Sequence, residues 1–137
     1  MVMRFIYLGI WLRKYHLSFF AKFIDYFIVR GFFSCDVQSN TQIGRGLDLS
    51  HNGLGVVIHP KSVIGDNVKI LQGVTIGGRI GPQLPIIGNN VQIGAGAKIL
   101  GGVRIGDNAK IGANAVVLID IPDNCTAVGV PAKIISK

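Results

Sequence analysis

From Val37 to Val117 an apolar residue returns at every sixth position, with two interruptions. The series runs Val37, Ile43, Leu49, then Ile58, Ile64, Ile70, Ile76, then Ile87, Ile93, Ile99, Ile105, Ile111 and Val117. A period of six is a multiple of the strand period of two and fits no helix, so each lead residue falls on the same face of an extended segment. Two positions before the later leads stand Val68, Val74, Val91, Ala97, Val103, Ala109 and Ala115, a second inward set. Three positions after the leads come Asn40, Gly46, Asn52, Asn67, Gly73, Asn90, Gly96, Gly102, Asn108 and Asn114, with Lys61 and Arg79 as exceptions. Gly and Asn enter the left-handed backbone region readily, so each hexad is predicted to be a short strand followed by a positive-φ corner. Such units stack into a parallel β-helix because none can bury its apolar face alone.

Residues 5–33 lack this period. Phe19, Phe20, Phe23 and Phe27 recur at three- and four-residue spacing with Lys22, Asp25 and Arg30 off the stripe, which predicts an amphipathic helix over 17–30; a shorter helix is expected over 4–15. Charged residues break the apolar runs before they reach the ~20 residues of a membrane span. The run Phe5–Leu12 is followed at once by Arg13 and Lys14 and by no small-residue cleavage pattern, so the segment reads as retained and cytoplasmic. Its helices are expected to pack on the end of the β-helix or on a neighbouring subunit. The other reading is peripheral contact at the inner face of a membrane, because a basic helix rich in aromatic residues can lie among headgroups. The expected division is a helical segment at 1–33 and a β-helix domain at 34–137.

Fourteen Lys and Arg against seven Asp and Glu leave a net charge of +7, which favours an anionic partner. Clustered basic residues with interleaved aromatics are missing from the repeat, which argues against nucleic acid. Cys35 and Cys125 have no metal or redox spacing and read as free thiols in or near the core. A nucleophilic Cys35 would need a lowered pKa. His16, His51 and His59 offer no zinc-ligand spacing, and no metal is expected. His16 reads as surface between the two helices, and His59, beside Pro60, as a solvated corner.

The two interruptions carry the candidate chemistry. Leu49 and Ile58 stand nine positions apart around Ser50-His51-Asn52-Gly53-Leu54-Gly55, and Ile76 and Ile87 stand eleven apart around Gly77-Gly78-Arg79-Ile80-Gly81-Pro82-Gln83-Leu84-Pro85. Insertions into a solenoid project from it, often on the binding face. Together with Asp36, Ile43-Gly44-Arg45-Gly46, Gly55-Val56-Val57-Ile58, Ile70-Leu71-Gln72-Gly73-Val74-Thr75-Ile76-Gly77-Gly78, Ile93-Gly94-Ala95-Gly96-Ala97-Lys98-Ile99-Leu100-Gly101 and Gly129-Val130-Pro131-Ala132-Lys133, these stretches resemble the serine acetyltransferases and their relatives in polysaccharide gene clusters. The resemblance covers about the last hundred residues.

The resemblance implies an all-β, left-handed parallel β-helix with three hexads per coil, and an enzyme that uses acetyl-CoA as co-substrate. It implies that His51 is the general base on an acceptor hydroxyl and that Asp36, fifteen residues earlier, orients it across adjacent coils. The chemistry needs such a pair because the imidazole must hold one tautomer, accept a proton and be stabilised once charged. It implies a pantetheine arm beside Gly78, Ala95 and Ala113, backbone N–H groups near Gly77 and Gly78 facing the developing oxyanion, Lys110 and Lys133 near the nucleotide phosphates, and a homotrimer with sites between subunits.

Two departures bear on the acceptor. Where the family carries Arg-His-Pro in the second loop this chain has Gln83-Leu84-Pro85, and Ser50 replaces the Asp before the base. Loss of a guanidinium removes a bidentate partner for an amino-acid carboxylate. The expected acceptor is therefore a sugar hydroxyl of a surface polysaccharide or its precursor, contacted by Ser50, Asn52, Gln83 and Leu84. The alternatives are serine O-acetylation, with another residue replacing the Arg-His pair, and a non-catalytic β-helix serving in assembly.

Overall fold

Each hexad forms one short strand and one corner in the computed structural model, which describes residues 1–136; residue 137 of the expected 34–137 domain lies outside the described residues. The first coil holds β1 (Asp36–Val37), β2 (Gln42–Ile43) and β3 (Asp48–Leu49). The second holds β4 (Val57–Ile58), β5 (Val63–Ile64) and β6 (Lys69–Ile70), and the third β7 (Thr75–Gly77), β8 (Ile86–Ile87) and β9 (Gln92–Ile93). The fourth holds β10 (Lys98–Leu100), β11 (Arg104–Ile105) and β12 (Lys110–Ile111). The fifth holds β13 (Val116–Val117), a bridge at Ile121 and β14 (Thr126–Val128), and β15 (Lys133–Ser136) closes the chain antiparallel to β14. Every third strand pairs in parallel, giving a first sheet β1-β4-β7-β10-β13, a second β2-β5-β8-β11 and a third β3-β6-β9-β12-β14-β15. This is the parallel β-helix that the six-residue period predicts.

Register explains how the interruptions are accommodated. Along the first sheet Asp36 pairs with Val57, Val57 with Thr75, Thr75 with Lys98 and Lys98 with Val116, steps of 21, 18, 23 and 18 positions. The regular coil is eighteen, and the two breaks add three and five residues at corners without disturbing the ladder.

The lead residues are buried along the axis except Ile43, which is half-buried in the first coil; the second inward set is buried throughout. Cys35 and Cys125 stand two positions before Val37 and Ala127, in that same inward column, and both are buried free thiols. Two of the three edges have the predicted left-handed corners: Gly46, Asn67, Asn90 and Asn108 between the second and third sheets, and Asn52, Gly73, Gly96 and Asn114 between the third and first. The edge between the first and second sheets differs, since Asn40 and Gly102 do not take positive φ. There Thr41 N–H donates to Gln38 O at 3.0 Å and Ser62 N–H to His59 O at 2.9 Å, turns that need no left-handed residue and so accept Lys61.

The second–third edge is a ladder of Asx side chains. Asn67, Asn90, Asn108 and Asn124 donate and accept in series at 3.1–3.4 Å. Asp66, Asn89, Asp107 and Asp123 each accept the N–H of Arg45, Asp66, Asn89 and Asp107 respectively, at 2.7–2.8 Å. The acidic residues of this edge serve the backbone.

The first coil is covered by α1 (Val2–Lys14), α2 (Ser18–Phe23) and a π-helix (Ile24–Phe32) that continues α2. Two helical pieces were expected; the buried face is different. Val2, Ile6, Ala21, Ile24 and Val29 face the core while Phe19, Phe20, Phe23 and Phe27 lie exposed. The i→i+5 winding sets Ile24 and Val29, five apart, on one side and leaves Phe27 outside, while in α2 Ala21 takes the buried position and Phe19, Phe20 and Phe23 are exposed. Asp25 staples this cap to the β-helix, accepting Ser39 N–H at 3.0 Å, Ser39 Oγ–H at 2.7 Å and an Arg13 N–H at 3.0 Å. No helix among the described residues is long and apolar enough to cross a membrane.

Full burial of an isoleucine contributes about 1.5–3 kcal/mol, and removing it also leaves a cavity. Ile99→Ala, at the centre of the stack, should cost about 2–5 kcal/mol, and Ile43→Ala distinctly less. Urea denaturation of the two variants checks the ranking, and equal losses would contradict it.

Candidate active site

His51 stands in a 3₁₀ turn, Ser50–Gly53, that fills the first insertion at the third–first edge. Its backbone is left-handed (φ 55°, ψ 35°), as is that of Asn52 (φ 56°). Two successive left-handed non-glycine residues store strain that surrounding contacts must hold. Gly53 is wedged against Cys35, Gly55 N–H donates to Ser34 O at 2.8 Å, and Asn52 Oδ1 accepts the N–H of Val2 at 3.4 Å. The turn is thus clamped between the first coil and the start of α1, with the imidazole exposed. Ser50 opens the turn half-buried. The oxygen of Asn52 serves the helix, which leaves only its NH₂ for an acceptor.

Asp36 begins β1 and is half-buried. No hydrogen bond or ion pair joins it to His51 among the described residues; its nearest cation is Arg30, at 3.9 Å. The pair therefore occupies neighbouring coils, as its spacing suggests, without the direct contact expected of it, because the left-handed turn leaves the ring in solvent and the π-helix brings Arg30 to the carboxylate. A cleft of about 440 Å³ opens beside Asp36 between the helical cap and the β-helix, lined also by Lys22, Tyr26, Arg30, Gln38 and Asn40. A second groove shares Asp36 and Gln38 and runs across the first sheet past His59 to Gly77. His59 is half-buried there, its Nδ1 accepting Lys61 N–H at 3.1 Å, so it is not the solvated corner the sequence suggests. The pairing of Asp36 with Val57 was the available signal: it places His59 level with Gln38.

The other candidates fall on two different edges. Ala95 and Ala113 stack on the third–first edge, where Asn114 N–H donates to Ala95 O at 2.8 Å. A Cβ on Gly73 would meet only the Cα and N of Gly96, so that corner presents backbone alone, whereas the Asn114 side chain lies over Gly96 and Asn52 stands at the first corner of the edge. Lys110 and Lys133 lie exposed on the adjoining third sheet. Gly77, by contrast, ends β7 and Gly78 follows it on the first–second edge, where the second insertion folds back: Leu84 lies 3.5 Å from a Cβ on Gly78, and Gln83 packs over Gly102. One chain therefore does not bring Gly78, Gln83 and Leu84 to His51, Ala95 and Ala113. No group of three metal-ligating side chains occurs among the described residues.

The family model described as bacterial transferase hexapeptide (six repeats) matches residues 85–118 of this three-sheet β-helix. The chain is 46% identical over 129 residues to a serine acetyltransferase of Helicobacter pylori, spanning 92% of this chain and 74% of that protein. It is 39% identical over 130 residues to a serine acetyltransferase of Synechococcus elongatus, spanning 93% of this chain and 52% of that one. The structure of serine acetyltransferase from Brucella abortus in complex with coenzyme A superposes with a TM-score of 0.89 at 40% identity, over 98% of this chain and 54% of that one. The chain belongs to the serine acetyltransferase family, and spans about half the length of several members. These names give no support to a polysaccharide character and fit a serine acceptor better than the sugar expected from the loop.

Burial, reinforced by the negative charge of Asp36 and opposed by the Val37 N–H, pushes the Cys35 thiol up from 9.0 to about 12. It is a core filler and no nucleophile. Because the folded value lies above the unfolded one, the thiol contributes stability below pH 9.0 that is lost as pH rises from there through about 12. Iodoacetamide at pH 8 should leave Cys35 unmodified in the native protein and alkylate it after unfolding, as peptide mass mapping would report.

Proposed function

We propose that this chain is an acetyl-CoA-dependent O-acetyltransferase whose site runs along the third–first edge to the turn of His51. The observation that carries the reading is the strip of small residues on that edge, where Gly73 presents bare backbone and Ala95 and Ala113 stack beyond it with only methyl side chains, room for a long thioester arm. With coils about 4.8 Å apart, Ala113 lies three coils, about 14 Å, from that turn. Lys110 and Lys133 flank the far end and suit the nucleotide phosphates.

In this reading the neutral imidazole of His51 takes the proton of the acceptor hydroxyl, and the oxygen attacks the thioester carbonyl. The tetrahedral intermediate collapses with cleavage of the C–S bond, and the imidazolium returns its proton to the leaving thiolate to give free CoA. Asp36 is the positioning partner of the imidazolium, reached when its carboxylate leaves Arg30; catalytic hydrogen bonds are commonly long before substrate binds. Gly77, Gly78, Gln83 and Leu84, on the other edge, would join the site from a second copy, which favours a homotrimer. The placement we propose is cytoplasmic, with peripheral contact at the inner membrane face through the helical cap.

For the acceptor, the relatives' names support L-serine. Arg30 and Lys22, in the cleft beside Asp36, supply the cations that Gln83-Leu84 lack, so a carboxylate has partners there. A sugar hydroxyl remains the second reading, favoured by Gln83, Leu84 and Ser50 in place of the family's charged groups.

Free-thiol release from acetyl-CoA, measured against L-serine and a panel of sugars and nucleotide sugars, tests the activity. His51→Ala should lower turnover roughly 10²–10⁴-fold, and an unaltered rate would remove His51 from the mechanism. If serine is the acceptor, Arg30→Gln should raise its KM by roughly ten- to a hundredfold, the loss of one charge-assisted contact. An unchanged KM for serine would place the carboxylate elsewhere.

A further inference from the structure

The helical cap is tied to the β-helix through Asp25, and its outer face is exposed. Phe19, Phe20, Phe23, Tyr26 and Phe27 are all more than half exposed. Phe23 and Phe27 stack at 4.8 Å and Tyr26 meets Phe27 edge-on at 5.3 Å, so they form one continuous surface. At the end of α1, Trp11 and the capping Tyr15 add a second exposed aromatic pair, 4.8 Å apart. Between the start of α1 and the end of the π-helix lies an apolar hollow of about 410 Å³ lined by Met1, Phe5, Phe27, Ile28, Phe32 and Phe33.

Charge selects the partner for this surface. Arg4, Lys14 and Lys22 are exposed on the same helices, and the cap's one acidic residue, Asp25, is consumed by Ser39 and Arg13. Aromatic rings that combine an apolar body with a polar edge settle at the boundary of headgroups and acyl chains, and cations beside them are attracted to anionic lipid. A second copy of the chain would bring the same positive charge against itself. We propose that the cap docks on an anionic lipid bilayer, with Phe19, Phe20, Phe23 and Phe27 at the acyl boundary, Lys14 among the headgroups, and the hollow taking an acyl chain. This sharpens the peripheral membrane contact proposed above and stands whether the acceptor is serine or a sugar.

Co-sedimentation of the full chain with phosphatidylcholine vesicles, with and without phosphatidylglycerol, tests the docking separately from turnover. The expected result is binding to the anionic vesicles that weakens with salt and is lost on neutral ones. Phe19→Ser/Phe20→Ser/Phe23→Ser, confirmed as folded by circular dichroism, should weaken binding at least tenfold, and Lys14→Gln roughly fivefold, the equivalent of about 1 kcal/mol per basic residue near the surface. Absence of binding to anionic vesicles, or equal binding to neutral ones, would overturn the proposal. So would a smaller assembly for the triple variant in sedimentation velocity, which would assign the aromatic face to contact between copies.

Discussion

Parallel hydrogen bonding between successive coils is the constraint on which the rest depends. Asp36, Val57, Thr75, Lys98 and Val116 stand in one ladder, and a shift of a single residue would turn each strand's inward isoleucine to solvent. Extra residues can therefore enter only at corners. Both insertions do so: one lifts His51 out of the third–first edge and the other hangs a loop on the first–second edge. The chemistry of the molecule is confined to edges by the packing of its core.

Three edges built from the same repeat have become three different surfaces. Between the second and third sheets, asparagines at left-handed corners bond in series and aspartates cap backbone amides, so the polar groups are consumed internally. Between the third and first sheets the same backbone conformation is met at the middle corners by Gly73 and Gly96, with asparagine at Asn52 and Asn114, and bare peptide is exposed at Gly73. The remaining edge turns at Thr41 and Ser62 without left-handed residues, takes a positive φ only at Gly101 and Gly81, and carries the projecting loop. A ligand running along one edge and touching the loop of another would need a second copy of the chain.

The helical cap does two jobs. Its inner face, with Ala21, Ile24 and Val29, closes the apolar mouth of the first coil, and Asp25 grips Ser39. Its outer face holds Arg30 beside Asp36 and leaves the phenylalanines exposed. Through Asn52 and Gly53 the cap and β1 also brace the strained turn of His51. The segment that lies outside the repeat thus sets the electrostatics of the candidate site.

The period of six, the inward columns and the two insertions were legible in the chain, because strand alternation and left-handed corners are local preferences that every hexad repeats. Asp36 and His51 were singled out from a motif string, and their neighbouring coils follow from the spacing. The sequence alone could not show which face of the cap is buried, since a helical spacing rule assumes 3.6 residues per turn and the segment winds as a π-helix over Ile24–Phe32. Nor could it show Arg30 at Asp36, His59 in the groove, or the division of Gly78 and Ala95 between two edges. Those depend on coils stacking and on the cap docking, contacts between residues far apart in the chain. The local repeat determined the fold, and long-range packing alone decided which of its side chains meet.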